Sequence, residues 1–167
     1  MKLLIHDLSE KEFCDYLPQI SRDITVIGGN AVIRKCRGCF SCWLKTPAVC
    51  VIKDEYQNIG QMISQCDEII IVSECIYGGF SPFIKNVLDR SISYLLPYME
   101  VRGGEMHHKS RYNHHVKFKV CFYGENITQE EKDTAIRLIS ANGLNFNTRE
   151  NSVDFYQKVN EMKEMVL

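Results

Sequence analysis

Four of the chain's eight cysteines lie close together, and their spacing is the strongest chemical signal in the sequence. They are Cys36, Cys39, Cys42 and Cys50, in the pattern C-x2-C-x2-C-x7-C. Two-residue gaps let consecutive thiols turn toward one centre in a tight loop, as a metal ion or an iron–sulfur cluster requires. Soft thiolate ligands favour zinc or iron. The pattern therefore predicts a metal site, and four free thiols, some buried as small apolar side chains, are the alternative.

Composition and charge exclude several classes of function. The chain has 167 residues, of which 45% are hydrophobic and 25% charged, so we treat residues 1–167 as a single globular domain. A net charge of −1 gives no field that favours nucleic acid or an anionic membrane. The N-terminal apolar stretch is too short for a signal peptide, and no apolar run approaches a membrane span. We therefore expect a cytoplasmic protein with reduced thiols and with neither nucleic-acid nor membrane partners.

Short apolar strands alternate with helices about five times along the chain. Helices are predicted to begin at two capping boxes, Ser9 with Glu12 and Thr128 with Glu131, and at Ser81 followed by a proline. This alternation predicts a parallel sheet with helices on both faces, and ligands at the carboxyl ends of its strands. The predicted strands are residues 2–6, 24–27, 69–72, 116–123 and 144–146.

The remaining segments are predicted to be a long loop and helices. Residues 97–115 show no periodicity and are predicted to be a long loop. Gly143 is the predicted end of the helix that Thr128 begins. A C-terminal helix is predicted from apolar residues at helical spacing, namely Phe155, Val159, Met162 and Val166.

Two stretches resemble a known family. Residues 73–90 read Ser-Glu-Cys-Ile-Tyr-Gly-Gly-Phe-Ser-Pro-Phe-Ile-Lys-Asn-Val-Leu-Asp-Arg. This resembles the loop and helix of flavodoxin-like NAD(P)H-dependent FMN reductases, roughly Pro-x-Tyr, small residues, a Ser, then Lys-x-x-x-Asp-Arg. The cysteine stretch followed by Asp54 is similar to that of the iron–sulfur flavoproteins in this group. Over about residues 24–145, the resemblance implies a flavodoxin-like, doubly wound α/β sandwich with five parallel strands in the order 2-1-3-4-5.

The resemblance also implies cofactors and partners. FMN would lie with its ring against the loop after the third strand, bordered by the loop after the fourth, and NAD(P)H would be the electron donor. A [4Fe–4S] cluster on Cys36, Cys39, Cys42 and Cys50 would pass single electrons to or from FMN. A small-molecule or protein electron acceptor and a homodimer are implied as well. The residues implied to bind FMN are Ser9, Cys75, Ile76, Tyr77, Gly78, Gly79, Gly124, Glu125 and Asn126.

The sequence departs from this family at two points. Cys75 stands where the family usually has proline, and the first loop, residues 7–10, carries two carboxylates where FMN binders have small polar residues. Carboxylates repel a dianionic phosphate. Arg102, Lys109 and Arg111 are alternative partners for that phosphate. The other hypothesis is a flavodoxin-fold protein that has lost FMN and acts as a zinc-binding, thiol-redox or assembly protein.

Overall fold

The computed structural model describes residues 1–17, 20–21, 23–28 and 32–164. Short 3-10 helices at Ser91–Tyr94 and Val159–Glu164 accompany the main elements. In chain order those elements are β1 (Lys2–His6), α1 (Glu10–Tyr16), β2 (Ile24–Ile27), α2 (Ser41–Leu44), α3 (Ile59–Ser64), β3 (Glu68–Glu74), α4 (Pro82–Arg90), β4 (Leu95–Arg102), β5 (Glu105–Ser110), β6 (Lys117–Tyr123), α5 (Gln129–Phe146) and β7 (Glu150–Tyr156).

A five-stranded parallel sheet organises the chain. Its strands lie in the order β2-β1-β3-β6-β7, which is 2-1-3-4-5 when only the strands of this sheet are counted. Every neighbouring pair is parallel, with His6 opposite Val72 and Glu74 opposite Tyr123 near the carboxyl ends. The predicted parallel sheet and its strand order are confirmed.

Helices cover both faces of the sheet. The β-branched run of β3 is buried on both sides, which is typical of a central parallel strand. Ile69 and Ile71 pack against one face, in a core that also contains buried residues of α3, α4 and α5. Ile70 and Val72 belong to the opposite core, with α1 packed beside it and Val159 from the C-terminal 3-10 helix. In the described part of the chain, no helix is both long and apolar enough to cross a membrane.

Local signals for the helix starts are confirmed. In both predicted capping boxes the hydroxyl accepts from the backbone N–H of the glutamate, and the glutamate carboxylate accepts from the backbone N–H of the capping residue. Ser81 occupies the N-cap of α4, followed by Pro82, but its side chain makes no capping bond. Its backbone N–H instead donates to Ser73 Oγ at 3.0 Å.

The predicted loop at 97–115 is wrong for most of its length. Strands β4 and β5 form an antiparallel hairpin separate from the main sheet. Gly103 and Gly104 make its turn with φ values of +60° and +85°, which glycine adopts without steric cost. The hairpin is not predicted because β4 is apolar on both faces and interrupted by Pro97, and β5 is mostly polar, so neither has the regular apolar alternation of a half-buried strand.

The C-terminal elements also differ from the prediction. Helix α5 continues past Gly143 and includes residues 144–146, which were predicted to be a strand, and it ends where Asn147 takes the left-handed conformation. Gly143 instead allows close packing, because a Cβ there would overlap the side chain of Asn151 on the last strand.

The last strand of the sheet is β7, in place of the predicted C-terminal helix. Phe155 lies in this strand, and Val159 and Met162 lie in the following 3-10 helix. Val166 lies outside the described residues. Phe155 packs against one core of the sheet and Val159 and Met162 belong to the other, so their helical spacing does not reflect one helix face.

Candidate functional site

The cysteine loop is an irregular segment between β2 and α3. Its one regular element is the single turn of α2. Three residues have positive φ: Gly38 and Phe40 before this turn and Ala48 after it. Backbone bonds close it at its C-terminal end, where the Cys50 N–H donates to the Gln57 carbonyl at 2.9 Å. The chain thus folds back on itself between Cys50 and Gln57.

The four predicted ligands line one small cavity. Its volume is about 30 Å³. None of the cysteines forms a disulfide. Within the described residues, no three His, Cys, Asp or Glu side chains are grouped so that they could hold one metal ion. The four predicted cysteines therefore share one cavity wall with Ile52, Arg90 and Ile92, but they are not positioned in this structure as ligands of one metal ion.

The thiols of the loop differ in environment. Cys42 is 8% exposed, and burial raises the pKa of its thiol. Cys39 is exposed, and hydrogen bonds from Ser41 lower the pKa of its thiol. A partly buried set of thiols with one more acidic member can supply thiolate ligands or react in thiol exchange.

A buried ion pair lies beside this cavity. Arg90 Nη1 and Nη2 donate to the two carboxylate oxygens of Asp54 at 2.9 and 2.8 Å. The Arg90 side chain is 0% exposed and that of Asp54 is 14% exposed. Hydrogen bonds from Arg90 hold the pKa of the Asp54 carboxyl below its usual range. The partner of Arg90 is thus 36 residues away in the sequence, whereas its neighbour Asp89 pairs with Lys85.

Trp43 connects the cysteine loop to the hairpin. Its indole N–H donates to the carbonyls of Ile92 and Leu95 at 3.1 and 3.0 Å. The ring contacts Phe40 from within the loop and His108 on β5, with centroid separations of 5.1 and 4.8 Å. The loop therefore packs on the segment that follows α4, and the hairpin that sequence analysis missed forms one of its supports.

A second candidate region is the carboxyl edge of the sheet. After β3 the chain makes a tight turn in which Ile76 and Gly79 exchange backbone hydrogen bonds at 2.9 Å. Tyr77 and Gly78 both have positive φ, and Tyr77 projects with 88% of its side chain exposed. The Cys75 N–H donates to the Tyr123 carbonyl at 2.8 Å, so this amide is already engaged.

The loop after β6 lies against this turn. The Gly124 N–H donates to the Tyr156 carbonyl at 3.1 Å, and a Cβ on Gly124 would lie 3.9 Å from Cys75 Cβ. Asn126 has positive φ, and Glu125 is exposed. The structure therefore brings the two predicted ring-binding loops together. A shallow cavity of about 340 Å³ adjoins them, and its wall includes Glu12, Glu74, Glu125 and Lys158.

The polar groups of the first loop, residues 7–10, already form hydrogen bonds within the protein. Asp7 Oδ1 accepts from the Tyr123 hydroxyl at 2.9 Å, and Oδ2 accepts from the Glu74 N–H at 2.9 Å and from Ser73 Oγ at 3.4 Å. The Ser9 hydroxyl donates to Glu12 at 2.6 Å and its N–H donates to the same carboxylate at 3.0 Å. This loop, with its carboxylates, does not fit a dianionic phosphate.

The alternative phosphate partners lie at the other end of the sheet. Arg102 donates to the carbonyl of Leu144, in the last turn of α5, and pairs with Glu100. Arg111 donates to the carbonyls of Ser93 and Leu95. Because α5 begins after the carboxyl end of β6, its last turn lies near the amino ends of the strands. These contacts exclude Arg102 and Arg111 as substitutes for the first loop in this arrangement.

The two candidate regions are separated by helix α4. Ser81 precedes it at the carboxyl edge, and Arg90 ends it at the cysteine cavity. Nine residues at 1.5 Å rise give a separation of about 13 Å along the helix. Both regions therefore depend on the same helix, which begins at one and ends at the other.

No established protein family matches this sequence, and no curated protein matches it either. Solved structures match its fold. An FMN-dependent NADH-azoreductase from Bacillus anthracis, in complex with FMN, is 11% identical with a TM-score of 0.52, over 97% of this chain and 93% of that one. The general stress protein 14 of Treponema denticola, also in complex with FMN, is 13% identical with a TM-score of 0.54, over 97% and 92%.

The fold is flavodoxin-like. A third solved structure, azoreductase AzrA, is 7% identical with a TM-score of 0.52 and covers 96% of this chain and 88% of its own. At such identities the likeness establishes the fold alone. It agrees with the strand order and with the helices on both faces of the sheet.

Proposed function

We propose that this chain is an electron-transfer oxidoreductase that holds a [4Fe–4S] cluster on Cys36, Cys39, Cys42 and Cys50 and a flavin at the carboxyl edge of its sheet. The observation that carries the proposal is the cavity lined by these four cysteines. Cysteines from both ends of the C-x2-C-x2-C-x7-C pattern contribute to its wall.

The cavity wall suits a cluster in composition, and to bind one the cysteines would have to move closer together than they lie in this structure. The four cysteines would hold the group as thiolates, and the cluster would supply one-electron exchange. Ile52 and Ile92 line the cavity and would exclude water from it. Trp43, fixed by its two hydrogen bonds, packs the loop against the hairpin support.

The flavin is supported by the edge loops and by the solved structures of similar fold that contain FMN. Glycines at Gly78, Gly79 and Gly124 let the backbone approach a flat ring, and the exposed Tyr77 can stack on it. The phosphate of FMN does not fit the first loop, as described above, so we derive no chemical step through FMN. The assignments of Ser9, Cys75, Ile76, Glu125 and Asn126 stay predictions.

A thiol-redox function is the second candidate. Cys39 is exposed and its thiol has a lowered pKa, the environment of a reactive cysteine. Oxidation would join it reversibly to a neighbouring thiol of the loop, with an oxidant accepting two electrons and the two thiol protons released. Free thiols counted before and after oxidant would support this candidate if the protein holds no iron.

The decisive experiment is the visible spectrum of the protein purified without oxygen, with iron and zinc assayed on the same sample. We expect a broad iron–sulfur absorption and about four irons per chain. Flavin bands in the same spectrum would support the second cofactor. A colourless protein that contains zinc, or no metal, and that takes up no added flavin would contradict the proposal.

The proposal also specifies the electron donor, the electron acceptor and the oligomeric state. We propose NAD(P)H as the electron donor, a small molecule or a protein as the acceptor, and a homodimer as the working form. Anaerobic reduction of the bound chromophores by NADH and by NADPH tests the donor. Sedimentation of the purified protein tests the dimer.

A further inference from the structure

One face of the hairpin carries two sulfur atoms and an imidazole that take no part in the core of the sheet. Met99 on β4 lies directly opposite His108 on β5. Met106 lies two residues before His108 on the same strand, opposite Val101. Directly opposite residues of an antiparallel pair point to the same face, and so do residues two apart on one strand. The two methionines and the histidine therefore share one face of the hairpin.

The other face of the hairpin packs on the protein. Arg102 donates to the carbonyl of Leu144 in the last turn of α5, and His107 Nδ1 lies 3.0 Å from Asn145 Oδ1 in the same turn. Both glutamates of the two strands alternate with the methionines and belong to this packed face. The methionine face therefore presents no carboxylate of the hairpin, and oxygen anions are the ligands that Mg²⁺ and Ca²⁺ require.

The sulfur atoms of the methionine face are accessible and can reach one another. Met99 is 45% exposed and Met106 is 64% exposed, although methionine is one of the residue types most often buried. Cβ atoms lie about 5 Å apart for directly opposite residues and about 7 Å apart for diagonal ones. Because a methionine side chain has three rotatable bonds, both sulfurs can approach the ring of His108.

The imidazole of His108 is supported on one side and has an unused nitrogen. Its ring contacts Trp43 with a centroid separation of 4.8 Å, and the indole is itself fixed by its hydrogen bonds to two backbone carbonyls. His108 Nδ1 is buried and has no hydrogen-bond partner in the described part of the chain. Buried polar atoms are nearly always paired in folded proteins, so this exception suggests a missing partner.

We propose that Met99, Met106 and His108 form a binding site for a soft monovalent metal ion, Cu(I). Thioether sulfur and imidazole nitrogen are ligands that this ion accepts, whereas harder ions prefer oxygen. The indole of Trp43 beside the imidazole adds an aromatic ring that attracts cations. This site is separate from the cysteine cavity, since no residue of the hairpin lines that cavity, and it does not depend on the proposed cluster.

The test uses Ag(I), which has the charge and ligand preference of Cu(I) and is not oxidised by air. Thiols also bind Ag(I). The accessible cysteines of the full chain are therefore capped with iodoacetamide, and circular dichroism verifies that the capped protein is folded. The methyl groups of the six methionines are labelled with ¹³C and followed by NMR during the titration. Each methyl signal then reports on its own sulfur, whatever the remaining thiols bind.

We expect the methyl signals of Met99 and Met106 to shift together and to saturate with one shared dissociation constant. Met1 is the internal control, because its exposure of 44% equals that of Met99 but it has no second sulfur ligand on a shared face. The signal of Met1 should shift only at concentrations of Ag(I) at least tenfold higher. The fully buried Met162 should not shift.

Two variants test the ligands one at a time. Met99→Leu keeps the apolar surface and removes one sulfur, so the Met106 signal should need about tenfold more Ag(I) to shift. His108→Phe keeps a ring against Trp43 and removes the nitrogen, and we expect a similar loss. Val101→Leu is the matched control, because it changes the same face and leaves all three ligands in place, and it should bind like the wild type.

The outcomes that would overturn the proposal are equally direct. If Met1 and Met99 shift at the same concentration of Ag(I), the ion binds any exposed thioether and the hairpin is not a site. Unchanged affinity in Met99→Leu would show that the face is only an apolar surface, because a surface that docks another protein tolerates leucine in place of methionine. The comparison of Met1 with Met99 is made within the wild type, so it decides the question even if a variant does not fold.

Discussion

The cysteine cavity and the carboxyl edge of the sheet differ in how far their polar groups are already satisfied. At the cavity, four cysteines share one wall, and in the described part of the chain none of them forms a disulfide. At the edge, Asp7 accepts three hydrogen bonds and Ser9 is committed to a capping box. A site with open donors gains more from a ligand than a site that must first break its own bonds. We therefore expect the cavity to hold its group tightly and the edge to hold a flavin weakly.

The largest effect is expected from substitution of Cys42, the most buried cysteine of the loop, because it tests whether the cavity is the metal site. Cys42→Ser should lose nearly all bound iron, because a hydroxyl is a poor substitute for a soft thiolate ligand. Cys14→Ser is the matched control, since Cys14 is exposed on α1 and far from the loop in sequence. Iron per chain and visible absorption after reconstitution check this. Full iron binding by Cys42→Ser would show that the cavity is not the metal site.

The edge can be tested through the pH dependence of stability. His6 ends β1, is 4% exposed, and stacks on Phe13 at 4.2 Å. Burial lowers the pKa of His6 from 6.5 to about 4. The unfolded chain therefore binds the proton more tightly, and stability is present above pH 6.5 and is lost as pH falls toward 4. The loss reaches about 3 kcal/mol, because each pKa unit corresponds to roughly 1.4 kcal/mol.

Urea unfolding at several pH values between 7 and 4.5 checks this prediction. His6→Gln should flatten the dependence, whatever its stability at neutral pH, because the titrating group is gone. His115→Gln should keep the wild-type slope, since His115 is exposed. Equal slopes in His6→Gln and wild type would show that some other group controls the acid sensitivity.

The turn after β3 offers two adjacent glycines with different constraints. Gly78 has a φ of +75°, and a Cβ there would lie 2.6 Å from the Glu131 carbonyl oxygen. Gly79 meets its nearest atom, the Ile76 carbonyl oxygen, at 3.4 Å. Gly78→Ala should destabilise the fold by about 1–3 kcal/mol through backbone strain and overlap, and Gly79→Ala by clearly less. Thermal or urea unfolding of the pair measures the difference, and equal losses would contradict this description of the turn.

Local sequence signals predicted the parts of the fold that local physics determines. The two capping boxes and the β-branched run at 69–72 were recognisable because their partners lie within a few residues or because burial on both faces needs a continuous apolar run. The hairpin β4–β5 and the strand β7 were not recognisable, because their formation depends on the strands with which they pair rather than on local sequence. The register that opposes Val120 to Val153 cannot be read from either strand alone.

The candidate sites likewise combine features that local sequence predicts with contacts that it does not. The spacing of the cysteines predicted one metal site; the structure places all four in the wall of one cavity, but no three of these described side chains are grouped to hold a metal ion, so the metal site stays a prediction. The Arg90–Asp54 pair joins residues 36 positions apart, and the support of Trp43 by Ile92 and Leu95 spans about 50. No local pattern specifies such contacts. They arise from the way α4 and the cysteine loop pack together.

The smallest expected effect sharpens the contrast at the edge, where the phosphate of FMN should weaken binding rather than strengthen it. Riboflavin has the same ring without the phosphate, so the wild type should bind riboflavin at least as tightly as FMN. Asp7→Asn keeps the shape and hydrogen-bonding oxygen of the side chain and removes one negative charge beside the first loop. Removing one partly screened repulsion should improve FMN binding by about 1 kcal/mol, roughly fivefold in Kd, and leave riboflavin unchanged. Fluorescence quenching of the two flavins on wild type and variant measures both constants. A wild type that prefers FMN to riboflavin would contradict this prediction and would point to Lys158, a cation in the wall of the adjoining cavity, as the partner of the phosphate.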